Sequence, residues 1–143
     1  MSFELRVDAQ RWRRGLRALA ESTPGIVPVI KGNGYGFGRD QLAAEASDLG
    51  VSAIAVGTYA EVQGALAVFA GDVMVLSPWR PFDESVVYDA RVLHTVGRVE
   101  DIAALAADHP DSRVIIEGET SMSRHGLDRH EHCAIPASAR ATS

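Results

Sequence analysis

Lysine is almost absent from this chain. Of its 143 residues fourteen are basic, thirteen of them arginine, and the single lysine is Lys31. Cysteine is equally scarce. Cys133 stands alone, which excludes a disulfide framework within the chain and suits a reducing compartment. No window approaches the roughly 20 apolar residues of a membrane span. The opening Met1-Ser2-Phe3-Glu4-Leu5-Arg6 has no apolar run of signal-peptide length. Positive charge is outweighed, the net being −5, so a general electrostatic grip on nucleic acid is excluded. These absences point to a cytoplasmic protein whose partners are small molecules, with neither nucleic acid nor membrane among them. Late in the chain, His125, His130, His132 and Cys133 match no standard zinc spacing, so no metal is expected.

What the chain does have is a 46% apolar content, enough for a core, arranged in a repeating pattern. Phe3 to Val7 reads as a first strand. Asp8 then caps a helix carrying Trp12, Leu16 and Leu19 on one face. Nearly continuous apolar runs follow at Ile26–Ile30, Ala53–Val56, Val73–Leu76, Val92–Val96 and Val114–Ile116, as expected of strands buried on both faces. Between them lie helical patterns at Gln41–Leu49, from Val62 to Phe69, weakly at Asp83–Asp89, and from Val99 to Ala106. Five such strands separated by helices predict an α/β fold of right-handed βαβ units with a parallel sheet. The spacing does not separate a doubly wound sheet from a (β/α)8 barrel. Beyond Leu127 neither periodicity persists, and residues 128–143 read as a disordered tail.

Two segments carry candidate chemistry. In Val29-Ile30-Lys31-Gly32-Asn33-Gly34-Tyr35-Gly36-Phe37-Gly38 a buried strand ends in the lone lysine, followed by alternating glycines. The register is neither G-x-G-x-x-G nor a P-loop, whose lysine follows its glycines. Ligands of parallel sheets sit beyond the carboxyl ends of the strands, where Lys31 falls. A partly desolvated amine there can form a Schiff base with a carbonyl, which no arginine can. The plain alternative is a surface lysine after a strand. Tyr35 either donates its hydroxyl to a phosphate or packs its ring on the loop. The second segment is Glu117-Gly118-Glu119-Thr120-Ser121-Met122-Ser123-Arg124-His125-Gly126, at the same end of the sheet. Arg124 there either binds an anionic ligand group or pairs with a nearby glutamate.

The two segments, in this order and about ninety residues apart, resemble the signatures of the alanine racemase family of fold-type III pyridoxal-phosphate enzymes. V-I-K-G-N-G-Y-G-F-G is similar to V-x-K-A-x-A-Y-G-H-G, and E-G-E-T-S-M-S-R-H-G to K-x-D-T-G-M-x-R-x-G. Ile54-Ala55-Val56-Gly57-Thr58-Tyr59-Ala60-Glu61 is similar to the family's second barrel strand and the helix after it. The resemblance implies a partial (β/α)8 TIM-like barrel of about five βα units. Residues 1–127 would be a truncated N-terminal cofactor-binding barrel domain, cut near residue 128.

It also implies an isomerase of D-alanine biosynthesis, a homodimer when intact, acting on a small amino acid. Lys31 would hold pyridoxal 5'-phosphate and serve as one of two proton-transfer bases between L- and D-alanine. Tyr35 would bind the cofactor phosphate. Arg124 would contact the cofactor's phenolic oxygen and place the substrate carboxylate, with Met122 lining the same pocket. Gly32 and Gly34 replace the family's alanines and Phe37 its histidine. Glu117 replaces a lysine that is carbamylated in some members and orients the arginine. The family's second base, a tyrosine of a C-terminal β-domain, has no counterpart here, so the fragment is expected to be inactive alone. The alternatives are a non-catalytic pyridoxal-phosphate homeostasis protein of the same barrel, or a small α/β ligand-binding or interaction domain.

Overall fold

The computed structural model describes residues 4–135. Its elements are α1 (Ala9–Ser22), a one-turn α2 (Lys31–Tyr35), α3 (Arg39–Asp48), β1 (Ala53–Val56), a 3-10 turn (Tyr59–Glu61), α4 (Val62–Val68), β2 (Asp72–Val75), β3 (Val92–Val96), α5 (Val99–Asp108), β4 (Arg113–Ile116) and α6 (Arg129–Ala134). All four strands are parallel and lie in the order β1-β2-β3-β4. That order never reverses. A doubly wound sheet reverses at its switch point, whereas successive strands of a (β/α)8 barrel lie side by side. The order therefore decides between the two readings that spacing alone had left open. Every residue of β1 is buried, as two-sided covering requires of a parallel strand.

Three expected elements differ, each for a local reason. Ile26–Ile30 forms no full strand but a single parallel bridge, Val29 opposite Ala55, closed by Ile30 N–H to Ala55 O and Ala55 N–H to Pro28 O. The next rung would need an N–H from residue 28, and proline has none. Glu4 to Asp8 is no strand either. The alternation of Leu5 and Val7 has period 2, but no strand among the described residues pairs with it, and Leu5 is 78% exposed. Phe3 lies outside the described residues. The helix expected over 83–89 is a loop. Asp83 Oδ1 accepts from Ser85 N–H and Oγ, an Asx turn that competes with helix formation.

Within the segment expected to be disordered, the structure has a short helix, α6. Asp128 caps α6 through a reciprocal capping box, its carboxylate accepting from Glu131 N–H while Glu131 accepts from Asp128 N–H. Leu127 and Ile135, on either side of that helix, both reach the core. Residues 136–143 lie outside the described residues. Among the described residues, no helix is long and apolar enough to cross a membrane.

Helix α1 begins where Asp8 accepts from Arg11 N–H, as its sequence predicts, but buries none of its residues fully. Its firmest attachment is ionic: Arg13 grips Glu45 of α3 through Nε and Nη2, at 2.6 to 3.0 Å. Between α1, the 26–30 segment and α3 runs an apolar cleft of about 370 Å3 that includes Trp12, Leu16, Leu19 and Leu42.

Candidate active site

The carboxyl ends of the parallel segments gather the residues singled out by sequence. Lys31 follows the 26–30 bridge directly, and the chain then turns with left-handed backbone. Gly32, Asn33 and Gly34 have φ of 60°, 51° and 64°, Tyr35 55° and Gly36 88°. Gly34 N–H donates back to Ile30 O at 2.9 Å, closing one turn of left-handed helix. L-residues avoid this region and glycine does not, which accounts for the glycines at alternate positions. Asn33 is the usual exception. Tyr35 is not, and it is held there with its ring 59% exposed.

Sequence reasoning missed the residue that anchors this turn. Glu61 Oε1 accepts from Gly32 N–H at 2.8 Å, while its Oε2 accepts from Gly57 N–H at 2.7 Å and Thr58 N–H at 3.1 Å. One carboxylate thus ties the peptide after Lys31 to the peptide after β1. The stem of Lys31 runs over Gly57. A Cβ on Gly57 would lie 3.3 Å from Lys31 Cβ and 2.8 Å from Glu61 Oε2. The T-x-x-E spacing of Thr58 to Glu61 signals a capping box, and that box is present. Its third bond, across 29 residues, leaves no trace in sequence.

At the far edge, β4 ends at Ile116 and the chain folds back on itself. Leu127 N–H donates to Glu117 O and Glu119 N–H to Leu127 O, both at 2.8 Å. The loop so closed carries Met122 and Arg124, both exposed. Close backbone approach makes the closure possible: a Cβ on Gly126 (φ 115°) would fall 2.4 Å from the carbonyl carbon of Gly118. The carboxyl of Glu117 points inward, and its Oε2 is a buried oxygen with no hydrogen-bond partner among the described residues. It lies 3.7 Å from where a Cβ of Gly97, at the end of β3, would stand.

A family model described as alanine racemase, N-terminal domain, matches residues 7–143. The chain belongs to the alanine racemase N-terminal domain family. The alanine racemase of Lawsonia intracellularis is 28% identical over 141 residues, a match spanning 92% of this chain and 37% of that protein. The fold agrees. A crystal structure of alanine racemase from Bartonella henselae with covalently bound pyridoxal phosphate superposes with a TM-score of 0.74 at 23% identity, covering 90% of this chain and 38% of that one. A histidine racemase from Leuconostoc mesenteroides superposes with a TM-score of 0.77 at 17% identity, covering 92% of this chain and 37% of its own. At such identities the structures speak for the fold alone. The chain spans somewhat over a third of the length of these relatives, and its sheet is part of their (β/α)8 barrel.

Lys31 and Arg124 occupy the same end of the sheet but opposite edges of it. Among the described residues no hydrogen bond or ion pair joins them, and neither side chain pairs with any acid. The glutamate partner considered for Arg124 is therefore not what holds it. Lys31 is exposed, as are Arg124 and Met122, the last at 68%.

A second titratable group lies in the core, away from this end. His94 of β3 is 1% exposed, and its Nδ1 lies 2.8 Å from the Tyr59 hydroxyl. Burial, with a smaller contribution from the charge of His109, pushes His94 down to about 4. Burial likewise raises the Tyr59 hydroxyl above its ordinary range. Tyr88 bridges the cluster. Its ring meets that of His94 at 5.5 Å between centroids and stacks on His109 at 3.6 Å, and its hydroxyl accepts from Trp79 Nε1.

Proposed function

We propose that this chain is the lysine-bearing part of a pyridoxal-phosphate-dependent racemase that interconverts L- and D-alanine. The observation that carries the reading is Lys31. The chain's only lysine stands at a strand's carboxyl end, in the family's signature, over a bare glycine, with its amine free of any acid partner among the described residues. Such an amine suits a carbonyl cofactor. When bound, pyridoxal phosphate supplies an electron sink for the substrate carbon that loses its proton. In this reading Lys31 would hold the cofactor through Nζ, and its amine would carry the α-proton on one face of the substrate carbon. Tyr35 donates its hydroxyl to the phosphate. Arg124 meets the cofactor's phenolic oxygen and the substrate carboxylate, with Met122 beside it. Glu117, whose Oε2 lacks a donor, takes the place of the family's orienting lysine toward Arg124.

A racemase needs a base on each face of the substrate carbon. Lys31 is one of the two in this reading, and the enzyme works as a cytoplasmic homodimer. Pyridoxal phosphate added to the purified chain is expected to give a visible absorbance band that borohydride fixes onto the Lys31 peptide. Lys31→Ala abolishes both. A band and adduct that survive Lys31→Ala would overturn the assignment.

A further inference from the structure

Glu61 lies in neither the lysine segment nor the arginine segment. Its carboxylate accepts three backbone N–H groups from two separate loops, using both oxygens. One of these bonds, from Thr58 N–H, closes the capping box of the 3-10 turn at Tyr59–Glu61, and a second comes from Gly57 N–H just before it. The third, to Gly32 N–H, reaches the peptide that immediately follows Lys31. That peptide begins a run of left-handed residues, which its glycines adopt freely but Tyr35 holds only where its surroundings over-determine it. The neighbouring Gly57 presents a bare Cα under the lysine stem, with its own N–H bound to the same carboxylate.

We infer that Glu61 and Gly57 together are a positioning device for Lys31. Glu61 fixes where the lysine's backbone leaves the strand, and Gly57 leaves the groove along which its stem lies. The inference rests on the reading of Lys31 as the cofactor-holding amine, but it concerns the aim of that amine rather than its identity. It makes a chemical prediction that a general structural role does not. Only a carboxylate has an acceptor on both sides. Glu61→Gln keeps size and polarity but turns one oxygen into an NH2 that must face an N–H, so either the Gly32 bond or the Gly57–Thr58 pair is lost. Gly57→Ala reaches the same end by another route. Its φ is not in the left-handed region, so alanine is tolerated by the backbone but crowds Glu61 Oε2 and Lys31 Cβ.

The single lysine makes the test clean. Reductive methylation with 13C-formaldehyde gives one dimethyl-lysine signal, from Lys31, distinct from that of the α-amine. In the wild-type chain this signal is expected displaced from the free-lysine position, and the Gly32 amide protected from hydrogen exchange. In Glu61→Gln and Gly57→Ala the signal moves to the free position and Gly32 exchanges about tenfold faster. Amides of the distant α5, such as Leu105, keep their wild-type rates, as they would not if the fold had loosened generally. Borohydride trapping of pyridoxal phosphate at Lys31 falls several-fold in both variants. If both variants keep the wild-type signal and Gly32 protection, or if the wild type itself shows the free-lysine signal with an unprotected Gly32, the positioning role is overturned. If instead the wild type traps no cofactor at Lys31 while the signal and exchange respond as stated, the functional reading fails and the positioning of Lys31 stands.

Discussion

Acidification from about pH 7 to about pH 5 should destabilise this protein chiefly through one residue. His94 is sealed in the core, with its Nδ1 against the Tyr59 hydroxyl and its ring against Tyr88. Its ordinary value of 6.5 falls to about 4 on folding. Between those values the unfolded chain binds a proton that the folded chain does not, so stability rises with pH across the window. It is complete above the unfolded value and lost as pH falls toward the folded one. Each pH unit inside the window is worth about 1.4 kcal/mol, so the descent from 6.5 to about 5 removes roughly 2 kcal/mol.

The carboxylates held below their ordinary range, Glu45, Asp83, Glu100 and Asp128, stay ionised throughout this interval and add no comparable slope. Urea unfolding at the two pH values, with midpoint and slope fitted together, measures the loss. His94→Gln is expected to be less stable than wild type near neutrality, through lost packing and a poorer partner for Tyr59, yet nearly flat between the two pH values. Equal losses in wild type and variant would refute the account, since the pH dependence would then arise elsewhere.

Ile54→Ala, in the fully buried β1, should cost about 2–5 kcal/mol, read from the same urea curves. Gly126→Ala forces a side chain into φ 115° and against the Gly118 backbone. A loss of at least about 2 kcal/mol is expected, with faster amide exchange at Glu119 and Leu127. Arg13→Ala removes the hydrogen-bonded guanidinium that holds the Glu45 carboxyl below its usual range. The stability this pair contributes is present above the ordinary carboxylate value and lost as pH falls through the lowered one. The variant should therefore show a shallower acid limb, with α1 more readily detached as judged by Trp12 exposure.

The strands were legible because two-sided burial writes itself as unbroken apolar runs. Ala53–Val56 and Val92–Val96 coincide with β1 and β3. Elements failed where one backbone or side-chain group overrode the pattern. Pro28 withholds a single N–H and cuts Ile26–Ile30 to one rung. Asp83 diverts its neighbours into an Asx turn, and the capping box of Asp128 and Glu131 orders a segment too short to show any period. At the site, the lysine and its glycines were visible as a local motif. The hand of the turn, the bond from Gly32 to Glu61 and the stranded oxygen of Glu117 were not, because each depends on groups brought together only by folding.

The left-handed turn after Lys31 carries a stereochemical consequence. At Gly32, with φ 60° and ψ 48°, the backbone is the mirror image of an ordinary right-handed helix. An added Cβ there would meet no atom within 4 Å, so bulk is not what reserves the position for glycine. Chirality is. An L-alanine would pay about 1–2 kcal/mol for the wrong hand. A D-alanine installed at 32 by chemical synthesis would find its preferred region and gain about 0.4–1 kcal/mol by restricting the unfolded chain. Two chains identical in every bond and differing only at that one stereocentre should thus fall on opposite sides of the natural protein in stability.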